Sequence, residues 1–258
     1  NSGTEASLHT TRLIRAATGK PKIAKFEGAY HGSHDALEIS VSTPIDKAGH
    51  PQKPNSVPSW EGFAPNSADN TIILPYHDKT AVENILREHK DDLAGVFYEG
   101  IGGTQPVDIP KNFTRFVRKI TSDLGLIMVM DEVVSFRMGY GGHQSVCGIK
   151  PDLTILGKII GGGLPVGALG GRADLMNILD NTKELPRVSQ SGTFSGHPMT
   201  LSAGLATLKD LTIDVYEYLN TLGTRLSHGL SRIFDEVRIP CEIVQQGSLV
   251  AIYFTDKP

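Results

Sequence analysis

Apolar residues in this chain fall in short runs separated by longer amphipathic stretches. Runs at 22–26, 71–74, 94–98, 127–130 and 153–156 are each bounded by turn-forming or charged residues. Short apolar runs of this kind read as buried strands of a parallel sheet. Between them the period lengthens. Ala6, Leu13, Ile14 and Ala17 form a helical stripe that Gly19 ends, and Val82, Ile85 and Leu86 form another within 80–89. Further helices are predicted over 112–124, stopped by Gly125, from about 172 through Leu179, and over 198–211. A long helix over 215–234 carries Leu219, Leu222, Leu226, Leu230 and Ile233 at spacings that predict one inward face. Strands at 168–171, 241–244 and 249–254 complete the set. Alternating strands and helices predict an α/β fold with a mainly parallel sheet flanked by helices.

One stretch breaks the alternation. Residues 40–70 hold Pro44, Pro51, Pro54, Pro58 and Pro65 and few periodic apolar positions. This predicts a long irregular loop, with Trp60 and Phe63 as its anchors.

Two strand ends carry the chemistry. The run Ile127-Met128-Val129-Met130 stops on Asp131, and the run Leu153-Thr154-Ile155-Leu156 stops on Gly157-Lys158, ahead of Gly161, Gly162 and Gly163. Open α/β sheets bind ligands beyond the carboxyl ends of their strands. An acid and an amine delivered to one rim suit pyridoxal phosphate (PLP). The lysine forms a Schiff base and the acid keeps the pyridine nitrogen protonated. The same pair would also serve as a structural ion pair. Asn1 and Ser2 start a helix with Gly3, Thr4 and Glu5 in its first turn. Such a helix end has free N–H groups and a positive dipole suited to a phosphate, or simply an ordinary cap. Glycines around Tyr30 and His31 allow close approach to a flat ligand.

Composition narrows the classes. The 258-residue chain has a net charge of −3 and no basic cluster interleaved with aromatics, which argues against a nucleic-acid partner. No apolar run approaches the roughly 20 residues that cross a bilayer, and no signal peptide is recognisable. Cys147 and Cys241 are isolated thiols, which suits a reducing, cytoplasmic setting, and the nine histidines show no metal-ligand spacing. Gly157-Lys158 lacks the preceding glycine of a phosphate-binding loop, and no Gly-x-Gly-x-x-Gly follows the first strand.

Five segments, in order, resemble the class III (fold type I) PLP-dependent aminotransferases, and within them the glutamate-1-semialdehyde 2,1-aminomutases. They are Asn1-Ser2-Gly3-Thr4-Glu5-Ala6, Phe26-Glu27-Gly28-Ala29-Tyr30-His31-Gly32, Asp131-Glu132-Val133, the stretch from Leu156 to Gly167, and Ser191-Gly192-Thr193-Phe194-Ser195-Gly196. The resemblance implies a large domain over 1–212 with a seven-stranded type of sheet. A linking helix and the start of a smaller α+β domain would follow over 213–258. It also implies that the chain is a fragment lacking both ends. Lys158 and Asp131 would be catalytic. Ser2, Gly3 and Thr4 would cradle the cofactor phosphate, Tyr30 would stack on the ring and Val133 would cover its other face. His31 would stand at the cofactor either as a hydrogen-bonded neighbour or as a catalytic group, and Glu99 would help to order the site, while Gly192 and Thr193 would reach the phosphate of a neighbouring subunit in a homodimer with shared active sites. The substrates would be amino compounds and keto or aldehyde acceptors.

Three segments depart from the family pattern. Glu38-Ile39-Ser40-Val41-Ser42 stands where the aminomutases usually have Ala-Gly-Ser-Gly. Glu99-Gly100-Ile101-Gly102-Gly103-Thr104 replaces the usual Glu-Pro, and Asp131 to Arg137 is one residue shorter than the usual pattern. The expected function is therefore transamination first, the aminomutase reaction that makes 5-aminolevulinate second, and an inactive PLP-binding remnant third.

Overall fold

The computed structural model describes residues 1–102, 109–182 and 187–255. Gly103 and Thr104, from the segment after Glu99, lie outside them, as do the last three residues. In chain order the elements are α1 (Gly3–Thr18), β1 (Lys22–Phe26), β2 (Gly49–His50), β3 (Lys53–Pro54), β4 (Thr71–Leu74), α2 (Lys79–His89), β5 (Leu93–Tyr98) and α3 (Lys111–Asp123). There follow β6 (Ile127–Asp131), α4 (Gly142–Cys147), β7 (Leu153–Gly157), β8 (Gly167–Gly171), α5 (Ala173–Met176), α6 (Pro198–Asp210), α7 (Ile213–Val237), β9 (Glu242–Gln246) and β10 (Leu249–Tyr253).

Among the described residues the central sheet has six strands in the order β4-β1-β5-β6-β7-β8. All neighbours are parallel except β7 and β8, which run antiparallel with Gly157 opposite Gly167. The carboxyl ends of five strands and the start of β8 therefore share one edge. Alternation along the strands feeds two cores. On one face, Ala24, Phe26, Val96, Tyr98 and Met128 pack with Val82 and Leu86 of α2 and Phe113 and Val117 of α3. On the other, Ile23, Phe97, Val129 and Ile155 pack with Leu13 and Ile14 of α1. This is a three-layer α/β/α arrangement.

At the opposite edge Asp152 holds the sheet together. Its carboxylate accepts the Met128 N–H at 2.8 Å and pairs with Arg118 at 2.7 Å and Arg172 at 3.0 Å. Burial acts to raise its pKa, but these hydrogen bonds outweigh it and hold the group below the usual aspartate value.

The 40–70 stretch is mostly irregular, with the small β2–β3 hairpin and one 3₁₀ turn. Trp60 is not a buried anchor, since 61% of it is exposed; its Nε1 donates to Glu38 instead. The long helix also differs from its predicted face. Leu222, Leu226 and Ile233 are exposed, whereas Tyr216, Gly223 and Ser227 are buried. Small residues face the β9–β10 hairpin because its turn packs close to the helix: a Cβ at Gly223 would sit 2.4 Å from the Gly247 carbonyl.

Candidate active site

The shared edge opens into a cavity of about 430 Å³. Its lining includes Asn1, Ser2, Gly3, Thr4, Tyr30, His31, Gly32, Glu99, Asp131, Val133, Lys158, Pro165 and Val166. Nine of the residues singled out from sequence therefore meet in one place, although they come from five separate segments.

The helix end forms one wall. Ser2 is the N-cap of α1: its hydroxyl accepts the Glu5 N–H and its carbonyl the Ala6 N–H. The N–H groups of Gly3 and Thr4 precede the point where intrahelical bonding begins. Glycines bring this end inward. A Cβ at Gly167 would lie 1.9 Å from the Ser2 carbonyl oxygen, and one at Gly3 would lie 2.9 Å from Val133 Cγ2. The Thr4 hydroxyl accepts the Ser33 N–H, which ties α1 to the loop after β1.

That loop places Tyr30 and His31. The Tyr30 N–H donates to Glu99 Oε1 at 3.3 Å, and its hydroxyl is 2.9 Å from Ser33 Oγ. His31 is buried, with Nδ1 2.9 Å from Asp131 Oδ2. Burial lowers the His31 pKa more than the Asp131 carboxylate raises it, so the ring is neutral and donates from Nδ1. The other carboxylate oxygen, Asp131 Oδ1, accepts the Val133 N–H at 2.9 Å. His31, Glu99 and Asp131 form a buried acid–base cluster whose ring nitrogen and carboxylate oxygens lie within 4.8 Å of one another.

Glu132 points away from the cavity and stiffens the loop behind it. It is fully buried and accepts the N–H groups of His143 and Gln144, each at 2.8 Å. Burial raises its pKa against those bonds. Sequence reading passed over this residue, since a second acid beside a strand-end aspartate carries no distinguishing signal.

Lys158 follows β7 directly and is exposed at the cavity. Its φ of 47° is left-handed. That conformation costs a non-glycine residue about 1–2 kcal/mol. Such strain persists where the surroundings impose it, often at functional sites. An exposed amine, a buried carboxylate with a hydrogen-bonded histidine, an aromatic ring and a helix N-terminus can together hold a flat, anionic, carbonyl-bearing ligand.

Gly192 and Thr193 do not line this cavity. They lie in an exposed turn before α6, next to a second, largely apolar groove of about 600 Å³ that Asn1, Glu5, Phe194 and Ser195 help to line. Asn1 borders both spaces. Leu164, Pro165 and Val166 complete the cavity rim, although the sequence marked their segment only as part of the motif that begins at Leu156.

The family described as aminotransferase class-III matches residues 1–258. Glutamate-1-semialdehyde 2,1-aminomutase 2 of Staphylococcus haemolyticus is 40% identical over 260 residues, and aminomutase 1 of Staphylococcus aureus is 41% identical. Each alignment covers the whole chain and 58% of the relative, so the chain spans little more than half the length of these proteins. Among solved structures, an omega-transaminase from Sphaerobacter thermophilus superposes with a TM-score of 0.94 at 39% identity, covering all of this chain and 59% of its own. A glutamate-1-semialdehyde aminomutase from Pseudomonas aeruginosa in complex with PMP gives 0.84 at 25% identity, covering 99% and 56%. This chain belongs to the class-III aminotransferase family.

Proposed function

We propose that the chain carries the cofactor-binding core of a PLP-dependent enzyme that moves an amino group between an amino compound and a keto or aldehyde acceptor. The observation that carries this reading is the convergence of Lys158, Asp131 and the N-terminus of α1 on one cavity. The residues fit the cofactor. Gly3 and Thr4 offer N–H groups at the positive end of a helix, and the Ser2 hydroxyl, which accepts from Glu5, keeps its own proton to donate. Tyr30 and Val133 flank a space suited to a ring.

When bound, PLP supplies a carbonyl carbon that condenses with amines and a ring that accepts electrons from the adjacent bond. The protein supplies the rest. Lys158 Nζ would tether the cofactor and, when free of it, would be placed to move a proton at the substrate carbon. The Asp131 carboxylate would hold the proton on the pyridine nitrogen. His31 fixes that carboxylate by donating from Nδ1, and the N–H of Val133 fixes its other oxygen.

Borohydride reduction of the PLP-loaded protein followed by peptide mapping tests this reading: the label is expected on Lys158, and a label on another lysine overturns it. A second reading is the intramolecular amino shift of glutamate-1-semialdehyde. Its support is the identity of about two residues in five with proteins named as that aminomutase. Supplying glutamate-1-semialdehyde alone, beside amine and keto-acid pairs, separates the two.

We further infer a homodimer with shared sites. Gly192 and Thr193 lie outside their own cavity, which supports a role for them at a partner's phosphate site. The packing of α7 against β9 and β10 supports a division near residue 212, with a smaller domain beginning there.

A further inference from the structure

The segment 28–40 leaves the end of β1, carries Tyr30 and His31 past the cavity, and returns beside its own start. Two donors close its base. The Gly28 N–H donates to the Ser40 carbonyl at 2.9 Å, and Lys25 Nζ donates to the Ile39 carbonyl at 2.5 Å. Compact loops with adjoining ends are held by their own contacts and are frequently functional. Here one contact comes from a lysine that is fully buried within β1. A buried amine is costly unless its surroundings bind it, and no step of the reaction proposed above uses Lys25.

We propose that Lys25 is a positioning residue of the active site: by closing the base of the 28–40 loop it holds Tyr30 at the cavity and His31 within hydrogen-bond reach of Asp131. The proposal rests on the reading that the cavity binds PLP. Lys25 does not line the cavity and acts through the loop.

Its surroundings add a second influence. Burial pulls its pKa down to about 7, against the raising effects of Glu27, Glu99 and Glu38, and its charge in turn disfavours protonation of His31. The donor at the loop base therefore changes charge near neutrality, and the Gly28 N–H beside it does not. Carboxylates face it from the end of its own strand (Glu27), from the end of β5 (Glu99) and from the loop itself (Glu38).

The test compares wild type with Lys25→Met, which lacks the donor, and Lys25→Gln, which keeps a donor but has no charge. Amide hydrogen exchange is read without cofactor. The pH midpoint of the visible band of bound PLP is read with it. In Lys25→Met, peptides across 28–40 are expected to exchange about ten-fold faster or more, the scale of one lost hydrogen bond from a buried amine. Peptides of β5 and β6 keep their protection, and the PLP midpoint moves. Uniform acceleration across the sheet, or unchanged loop exchange with an unchanged midpoint, overturns the proposal. If Lys25→Met does not fold, Lys25→Gln decides: a neutral donor makes a weaker bond than the amine, so faster exchange confined to 28–40, by less than about ten-fold, supports the assignment, and loop exchange equal to wild type overturns it. Wild-type protein that takes up no PLP refutes the cofactor reading, while the exchange comparison still decides whether Lys25 closes the loop.

Discussion

His31 Nδ1 lies 2.9 Å from Asp131 Oδ2, and both side chains are buried. The geometry fits either an ion pair or a neutral donor on a carboxylate. Burial lowers the His31 pKa, so the neutral donor applies. Replacing His31 with Phe leaves Asp131 only the Val133 N–H. A hydrogen bond to a charged group contributes roughly 1.5–3 kcal/mol, so single-turnover rates are expected to fall about ten- to hundred-fold with PLP still bound. Asp131→Asn is expected to cost more, because an amide cannot hold the pyridinium proton. Near-normal chemistry in Asp131→Asn would reduce Asp131 to a structural partner.

Gly167→Ala tests the placement of the helix end. Its Cβ would fall 1.9 Å from the Ser2 carbonyl oxygen, a backbone atom that cannot rotate aside. The N-terminus of α1 must then shift away from the cavity. PLP affinity, measured by equilibrium titration, is expected to drop by about ten-fold or more while the sheet stays folded. Wild-type affinity in this variant would mean that the phosphate is held elsewhere.

Asp152→Asn is expected to destabilise the protein by roughly 2–3 kcal/mol, since charge-assisted bonds to Arg118 and Arg172 weaken together. The folded pKa of Asp152 is depressed below the ordinary 3.8, so its contribution is present above that value and is lost as pH falls through the folded pKa. Denaturation curves at pH 7 and in acid should show the variant's deficit shrinking towards low pH.

Lys25 predicts a slope of the same sign in a different pH window. Its folded pKa of about 7 lies below the ordinary 10.5. Under pH 7 both states carry the proton; between the two values the unfolded chain binds more. Stability should rise with pH across that window by up to about 1.4 kcal/mol per unit. Urea denaturation at intervals from pH 6 to pH 10, compared with Lys25→Met, isolates the effect; parallel curves for the two proteins would show that Lys25 titrates normally.

Thr193 is tested by mixing. A Thr193→Val subunit paired with a Lys158→Ala subunit leaves one intact site and one doubly damaged site if Thr193 serves the partner. Two singly damaged sites, with no intact one, would place its role within its own subunit.

Much of this arrangement is legible in sequence because strands announce their ends. Asp131 and Lys158 stand where apolar runs stop, and Ser2 caps a helix with a conventional pattern. What depends on distant partners is not legible. His31 and Asp131 are 100 residues apart, and nothing local pairs them. Lys25 sits in an apolar run where a lysine normally argues for exposure. The direction of β8 is also hidden, since a short glycine-rich run fits either orientation. On α7 the leucine spacing merges two faces: Leu219 and Leu230 are half-buried while Leu222, Leu226 and Ile233 are exposed, and the close approach of the hairpin takes Gly223 rather than bulk.

The contact of α1 with β7 and β8 has a consequence for the order of assembly. The proposed phosphate end of the cavity belongs to α1, and the proposed amine end follows β7, which is made later. During synthesis α1 can pack on β1, β5 and β6 as they form, but its contacts with β7 and β8 must wait until the chain has returned through β8. Long-range closure of this kind slows folding and exposes intermediates to aggregation. If α1 holds the phosphate as proposed, cofactor capture would be a late event, and PLP present during refolding would act on the final docking of α1 rather than on formation of the sheet.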